Sequence, residues 1–188
     1  KRYGGVPIEL VPKQLDATYE ELYTPRSTLQ ETYEQIFADL DAAIADLPGS
    51  AMSGKATKWA AHALKSRAAL YAARIAKYHP QSSDGLTSIP AGLAGGYYTM
   101  SHASASAIID SGKHPLHTGG GTYQKTYSEV LTKKGNSEMI FVTEYDLGLG
   151  KTHMHGYFNM PDGFKSGWGS NTHIYESSVE KFEYKDGT

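Results

Sequence analysis

Three groups of residues in the last part of the chain have types and spacing that could do chemistry. His153-Met154-His155 sets two imidazoles two positions apart. On an extended backbone such residues share one side, and imidazole suits zinc or nickel. His173 or Asp162 would have to fold close to complete the ligand set, because no third ligand stands at a fitting spacing. Unpaired histidines on a surface are the plainer reading, so no metal site is assigned. Glu144, Asp146 and Asp162 are the carboxylates that a glycosidase would need, two of them roughly 5 to 10 Å apart and one with a raised pKa. No motif accompanies them, and acidic residues in loops are ordinarily solvated. No catalytic residue is assigned and no enzyme is expected.

The third group is aromatic. From Glu144 to Ser170 the chain reads EYDLGLGKTHMHGYFNMPDGFKSGWGS, with no helical or strand period. Tyr157, Phe158 and Trp168 stand among Gly156, Gly163, Gly167 and Gly169, which allow the backbone to expose the rings. A loop this long within a compact domain usually exists to bind something. The competing reading is that Trp168 and Phe158 pin the loop onto neighbouring helices.

Those residues need a scaffold, and composition limits what it is. The 188 residues suffice for one good core, or a helical core with an irregular appendage. A net charge of −2 and the lack of a basic run argue against nucleic acid as a partner. The absence of cysteine excludes disulfides, thiolate metal sites and cysteine nucleophiles. Fourteen tyrosines against 2 tryptophans and 5 phenylalanines supply rings with a polar handle, most of them expected in the core.

The strongest structural signal runs from Pro25 to Tyr78. Thr28 with Glu31 forms a capping-box pattern, with Ser27 as an alternative cap. Leu29, Tyr33, Ile36, Phe37, Leu40, Ala43, Ile44 and Leu47 then follow steps of three and four, which predicts one apolar stripe on a helix ended by Pro48-Gly49. A second helix is predicted over 57–78. Its alanines at 60, 61, 63, 68, 69, 72, 73 and 76 suit close approach by other helices. Lys58, Lys65, Arg67 and Arg74 would complement the acidic first helix in an antiparallel pair.

The remaining elements are weaker. Gly4-Gly5, Pro7 and Pro12 predict an extended lead-in over 1–24, packed through Val6, Ile8, Leu10 and Val11. A loop from Ser82 precedes a third helix over 99–111, with Ala103, Ala107 and Ile108 inward. A fourth helix over 122–133 would align Tyr123, Tyr127, Val130 and Leu131 on one face. Met139 to Thr143 has strand-like composition, and a last short helix is predicted over 177–185. The expected fold is mainly α, with tetratricopeptide-like helical hairpins, a long irregular loop-rich region and little β. The expected division is a helical core segment over 1–143 and a loop-rich segment over 144–188.

Several of these stretches, in order, resemble the SusD/RagB family of outer-membrane glycan-binding lipoproteins. Tyr3-Gly4-Gly5-Val6-Pro7 is similar to the family's entry into its helical core. Pro25-Arg26-Ser27-Thr28 with Tyr33, Ile36, Asp39-Leu40, Ala43 and Leu47-Pro48 resembles one family helix. Lys55-Ala56-Thr57-Lys58 with Ala60-Ala61, Ala63-Leu64-Lys65, Arg67 and Leu70-Tyr71-Ala72 resembles the next. Ile108-Ile109-Asp110-Ser111-Gly112, Asn136-Ser137-Glu138-Met139-Ile140-Phe141 and Val179-Glu180-Lys181-Phe182 with Lys185-Asp186-Gly187 resemble three further signatures. The chain departs from the pattern at Trp59, where a small residue is common, and at Ile174-Tyr175, where Pro-Thr is usual.

The resemblance implies capture without catalysis. Family members hold oligosaccharides at the cell surface over a SusC-type TonB-dependent transporter, which imports them. They are much longer than this chain, so the resemblance implies an internal piece of one SusD-like domain. The lipid anchor, which would be the parent's hold on the outer membrane, would lie outside it. No cofactor is implied. Tyr157, Phe158 and Trp168 become candidate platforms for sugar rings, and Asn159, Asp162 and Asn171, with Lys165 and His173, candidate partners for hydroxyls. Two other readings stay open: a helical interaction scaffold of the transporter complex without its own sugar site, and a glycoside hydrolase.

Overall fold

The computed structural model describes residues 3–14, 16–153, 159 and 175–182. The chain divides into two compact units, Lys1–Val142 and Thr143–Thr188. In the first unit, helices α2 (Leu29–Asp46), α3 (Lys58–Tyr78) and α4 (Ala94–Asp110) carry the core, preceded by a one-turn helix α1 (Tyr19–Leu22) and followed by α5 (Tyr123–Thr132). The fold is mainly α, as expected. Among the described residues the only β pairing is one isolated antiparallel bridge, between Asp146 and Lys151 in the second unit.

The start of α2 follows from its cap. The Thr28 hydroxyl accepts the Glu31 backbone N–H at 3.2 Å, and Glu31 Oε2 accepts the Thr28 N–H at 2.7 Å. Two N–H groups that a helix leaves unpaired are thereby satisfied. The hydrogen bond from the Thr28 backbone is the main reason the Glu31 carboxyl titrates below its ordinary value. Leu29, Tyr33, Phe37 and Leu40 are buried along the predicted stripe. Leu47 caps the other end, and the Pro48 carbonyl accepts the Lys58 N–H at 3.1 Å, closing the turn into α3.

Helix α3 lies between α2 and α4 and packs on both. Ala61, Ala69, Ala72, Ala73 and Ala76 are its buried residues. Small side chains allow this close approach, and one contact shows how close it is. Ser66 Oγ donates to the Ser101 carbonyl and Ser101 Oγ to the Ser66 carbonyl, both at 2.9 Å, a reciprocal clasp between α3 and α4. Phe37 completes the core, its ring centroid 6.0 Å from Tyr33 and 5.5 Å from Tyr97. Burial of the Tyr33 phenol pushes its pKa up to about 12, with a smaller push from Tyr71. Of the four basic residues on α3 expected to face the acidic helix, Lys65 forms an ion pair, with Asp41.

The lead-in is extended, though most of its apolar side chains are not buried. Val6, Leu10 and Val11 are exposed, and Ile8 is half-buried. Backbone contacts hold the segment instead. Gly5 N–H donates to the Leu86 carbonyl at 2.7 Å, and Ser27 N–H donates to the Val6 carbonyl at 3.1 Å. A Cβ at Gly5 would collide with the Ser27 carbonyl, so glycine is what lets these strands of backbone meet. Arg26 donates from Nε to the Gly5 carbonyl at 2.8 Å and from Nη2 to the Tyr3 carbonyl. Its role is structural, through these backbone carbonyls. Helix α1 lies within the segment read as extended, because Thr18 and Glu21 make a second capping box.

Three other expectations need correction. Helix α4 begins at Ala94, directly after a 3₁₀ turn over Ala91–Leu93, and runs through Gly95-Gly96, which had read as loop. Tyr97 anchors that added turn in the core, whereas Ala103 is exposed. The face of α5 that looked apolar is open: Tyr123 is 97%, Tyr127 64% and Leu131 71% exposed. Met139 to Thr143 is not a strand. Asn136 turns the chain there, donating from Nδ2 to the Val130 carbonyl at 2.9 Å while its Oδ1 accepts the Glu138 N–H at 3.0 Å. Ile140 and Phe141 then line a groove against α2 and α3. In the second unit, helix α6 (Glu176–Val179) begins one residue before the predicted last helix and overlaps its start, and residues 183–188 fall outside the described residues.

Candidate functional site

Of the six residues singled out for glycan contact, Asn159 is described, and it sits exposed in a turn. Tyr157, Phe158, Asp162, Trp168 and Asn171 lie outside the described residues, as do Lys165, His155 and His173. Near the start of the same loop, the Tyr145 and His153 rings meet edge to face, centroids 4.6 Å apart and planes at 83°. Asp146 is committed to its own turn, with Oδ1 accepting the Gly148 N–H at 2.8 Å. Its backbone also bridges to Lys151, by hydrogen bonds of 2.8 and 2.9 Å. A carboxylate used this way is a structural element of the loop. Among the described residues no three His, Asp or Glu side chains gather as a metal site.

Among the surface features of the first unit, two carry chemistry that the sequence alone did not single out. One is an apolar groove of about 640 Å³ between α2 and α3, walled by Leu40, Leu47, Ala60, Leu64, Ile140 and Phe141. Arg67 is the charged side chain on its rim. The other lies at the C-terminal end of α3. There Arg74 and Tyr78 stand four residues apart, with a shallow cleft on each side of them. The legible signal for it was the pair of positions i and i+4 carrying a guanidinium and a phenol, followed downstream by Tyr97-Tyr98.

Electrostatics elsewhere in the unit are local. His117 Nε2 pairs with Glu129 Oε2 at 2.8 Å, and its backbone N–H donates to Glu138 Oε1 at 2.7 Å. That ring contact is the main cause holding the Glu129 carboxyl below its ordinary value. His62 is shifted down chiefly by burial, then by the charges of Lys65 and Lys58, with Asp41 opposing.

The fold has known counterparts. Residues 1–70, which span the lead-in, α1, α2 and the first half of α3, match a SusD-like family described as starch-binding and associating with the outer membrane. A crystal structure of a SusD-like protein from Bacteroides fragilis superposes with a TM-score of 0.54 at 31% identity, covering 76% of this chain and 23% of that one. No curated protein matches the chain. The helical core with its glycine-led entry is thus of the SusD-like class. The chain belongs to the SusD/RagB family, and it spans about a quarter of the length of the solved relative.

Proposed function

We propose that the chain is the helical portion of a cell-surface glycan-capture protein of the outer membrane. The protein holds oligosaccharides or polysaccharides and passes them to a SusC-like TonB-dependent transporter. The observation that carries this reading is the match of residues 1–70 to a family described as starch-binding and outer-membrane-associated. The solved Bacteroides fragilis relative supports the same assignment through its fold. Anchoring is by a lipid on the parent protein. The protein binds and releases sugar without cleaving it.

Within this reading, α2, α3 and α4 are scaffold and the loop of the second unit is the contact surface. Sugar rings present C–H faces that stack on Tyr157, Phe158 and Trp168, and their hydroxyls pair with Asn159, Asp162 and Asn171. Aromatic platforms combine apolar area with little conformational entropy to lose. One experiment tests both halves. Trp168→Ala in the parent protein should weaken binding to its preferred polysaccharide at least about tenfold, as loss of an aromatic anchor does. Helicity and co-purification with the transporter should be unchanged. Identical affinity in the variant removes the loop from the site, and failure of the wild type to co-purify removes the transporter.

A further inference from the structure

We propose that the C-terminal end of α3 carries a second ligand site, built for sugars that bear a negative charge. Arg74 and Tyr78 lie one helical turn apart on the same face. The guanidinium carbon is 6.0 Å from the centre of the phenol ring, and the two form a ridge. A cleft of about 400 Å³ lies on one side, closed by Leu70 and Tyr98. A second, of about 350 Å³, lies on the other side, against Tyr71. Both fall in the size range of small-molecule sites. Lys77 adds a second cation, its ammonium 5.2 Å from the Tyr78 ring centre and 5.9 Å from that of Tyr98.

Cations near a helix C-terminus are common because they offset the helix dipole. That accounts for one positive charge there, but not for an exposed ring with two cations within 6.0 Å of its centre. Tyr78 is 66% exposed, and among the described residues the ion pairs involve neither Arg74 nor Lys77. The two charges are therefore held against π faces and left unneutralised. A chain of sugars crossing the ridge would set a C–H face on a tyrosine, its hydroxyls by the phenol groups, and a carboxylate or sulfate on Arg74. The guanidinium fork suits either anion by paired N–H···O bonds. A neutral sugar leaves both cations without a partner. The chain's net charge of −2 provides no general attraction for anions, so the preference would come from this place alone.

The inference rests on the glycan-capture reading, and the test separates the two. Binding of the full chain is measured by calorimetry against polygalacturonate, dextran sulfate, and a panel of neutral polysaccharides including soluble starch. Tyr78→Ala and the pair Arg74→Gln with Lys77→Gln are compared with wild type at low and at 0.3 M salt. The side chains involved are on the surface, so circular dichroism should show unchanged helicity. The expected result is binding of an anionic polymer that weakens at least about tenfold in either variant, since hydrogen bonds to charged groups are the stronger kind. Binding to neutral glycans should be unaffected. The polymer that binds, uronate or sulfate, identifies the anion. Loss in the charge variant alone, with Tyr78→Ala unchanged, overturns the site as described. So does neutral binding without anionic binding, which leaves the capture reading standing. Binding of no polysaccharide by the chain overturns the site, and the same result for the parent protein overturns the capture reading as well.

Discussion

Trp59 shows how much one side chain can fix. Its Nε1 donates to the Gly49 carbonyl at 2.8 Å, tying the first turn of α3 to the start of the α2–α3 connection. Its ring stacks on His62, centroids 6.1 Å apart and planes at 24°, with the Lys58 ammonium 4.6 Å from its centre. The consequence falls on His62, whose Nδ1 is buried without a hydrogen-bond partner. Burial first, and two nearby lysines second, disfavour the imidazolium. A histidine whose native pKa is lowered binds its proton more readily in the unfolded chain. The stability it contributes is full above the ordinary histidine value, about 6.5. It is lost as pH falls from there through the lower native value. NMR titration should show the His62 ring protonating below the ordinary histidine value, and His62→Gln should flatten the stability profile over that window. A His62 titration at or above the ordinary value contradicts this account.

At the scale of the element, α3 is specified by what its residues lack. Ala69, Ala72 and Ala73 are fully buried, and Ala76 is nearly so, among Tyr33, Phe37 and Tyr97. Such a helix needs neighbours on more than one side, and it has them in α2 and α4. Ala72→Leu should therefore cost about 1–3 kcal/mol through overpacking, read as a lower denaturation midpoint. Ala63→Leu, which adds bulk at the open groove, should be near neutral. An Ala72→Leu midpoint equal to wild type would mean the core has room that the packing does not suggest. This helix was legible because alanine spacing is itself a packing instruction, as the Thr28–Glu31 box is a start instruction. Ala94 to Tyr98 was not legible, since glycines at 95 and 96 lower helix propensity and the burial of Ala94 and Tyr97 offsets that. The open face of α5 was also hidden, because amphipathic spacing says which side is apolar but not whether anything covers it.

For the whole molecule, the entry segment, α2 and α3 proved to be the most informative stretch. They combine the glycine approach, cap, stripe and small-residue helix that match the SusD-like family over residues 1–70. The candidate glycan loop could be read only as composition. Tyr157, Phe158 and Trp168 announce aromatic surface, yet nothing in a run of glycines and aromatics specifies which rings face a ligand and which face the protein. The ridge of Arg74 and Tyr78 was missed for a different reason: on a helix diagram both residues look like ordinary surface, and their meaning comes from the clefts that Tyr71 and Tyr98 close around them. The account as a whole stands on glycan capture. Its most direct test is calorimetric titration of the parent protein and of this chain with a polysaccharide panel, with released reducing sugar assayed in the same samples. Saturable binding of at least one glycan by the parent, with no sugar released, is the predicted result. A folded, helical parent that binds none of them, or that releases sugar from any, would contradict it.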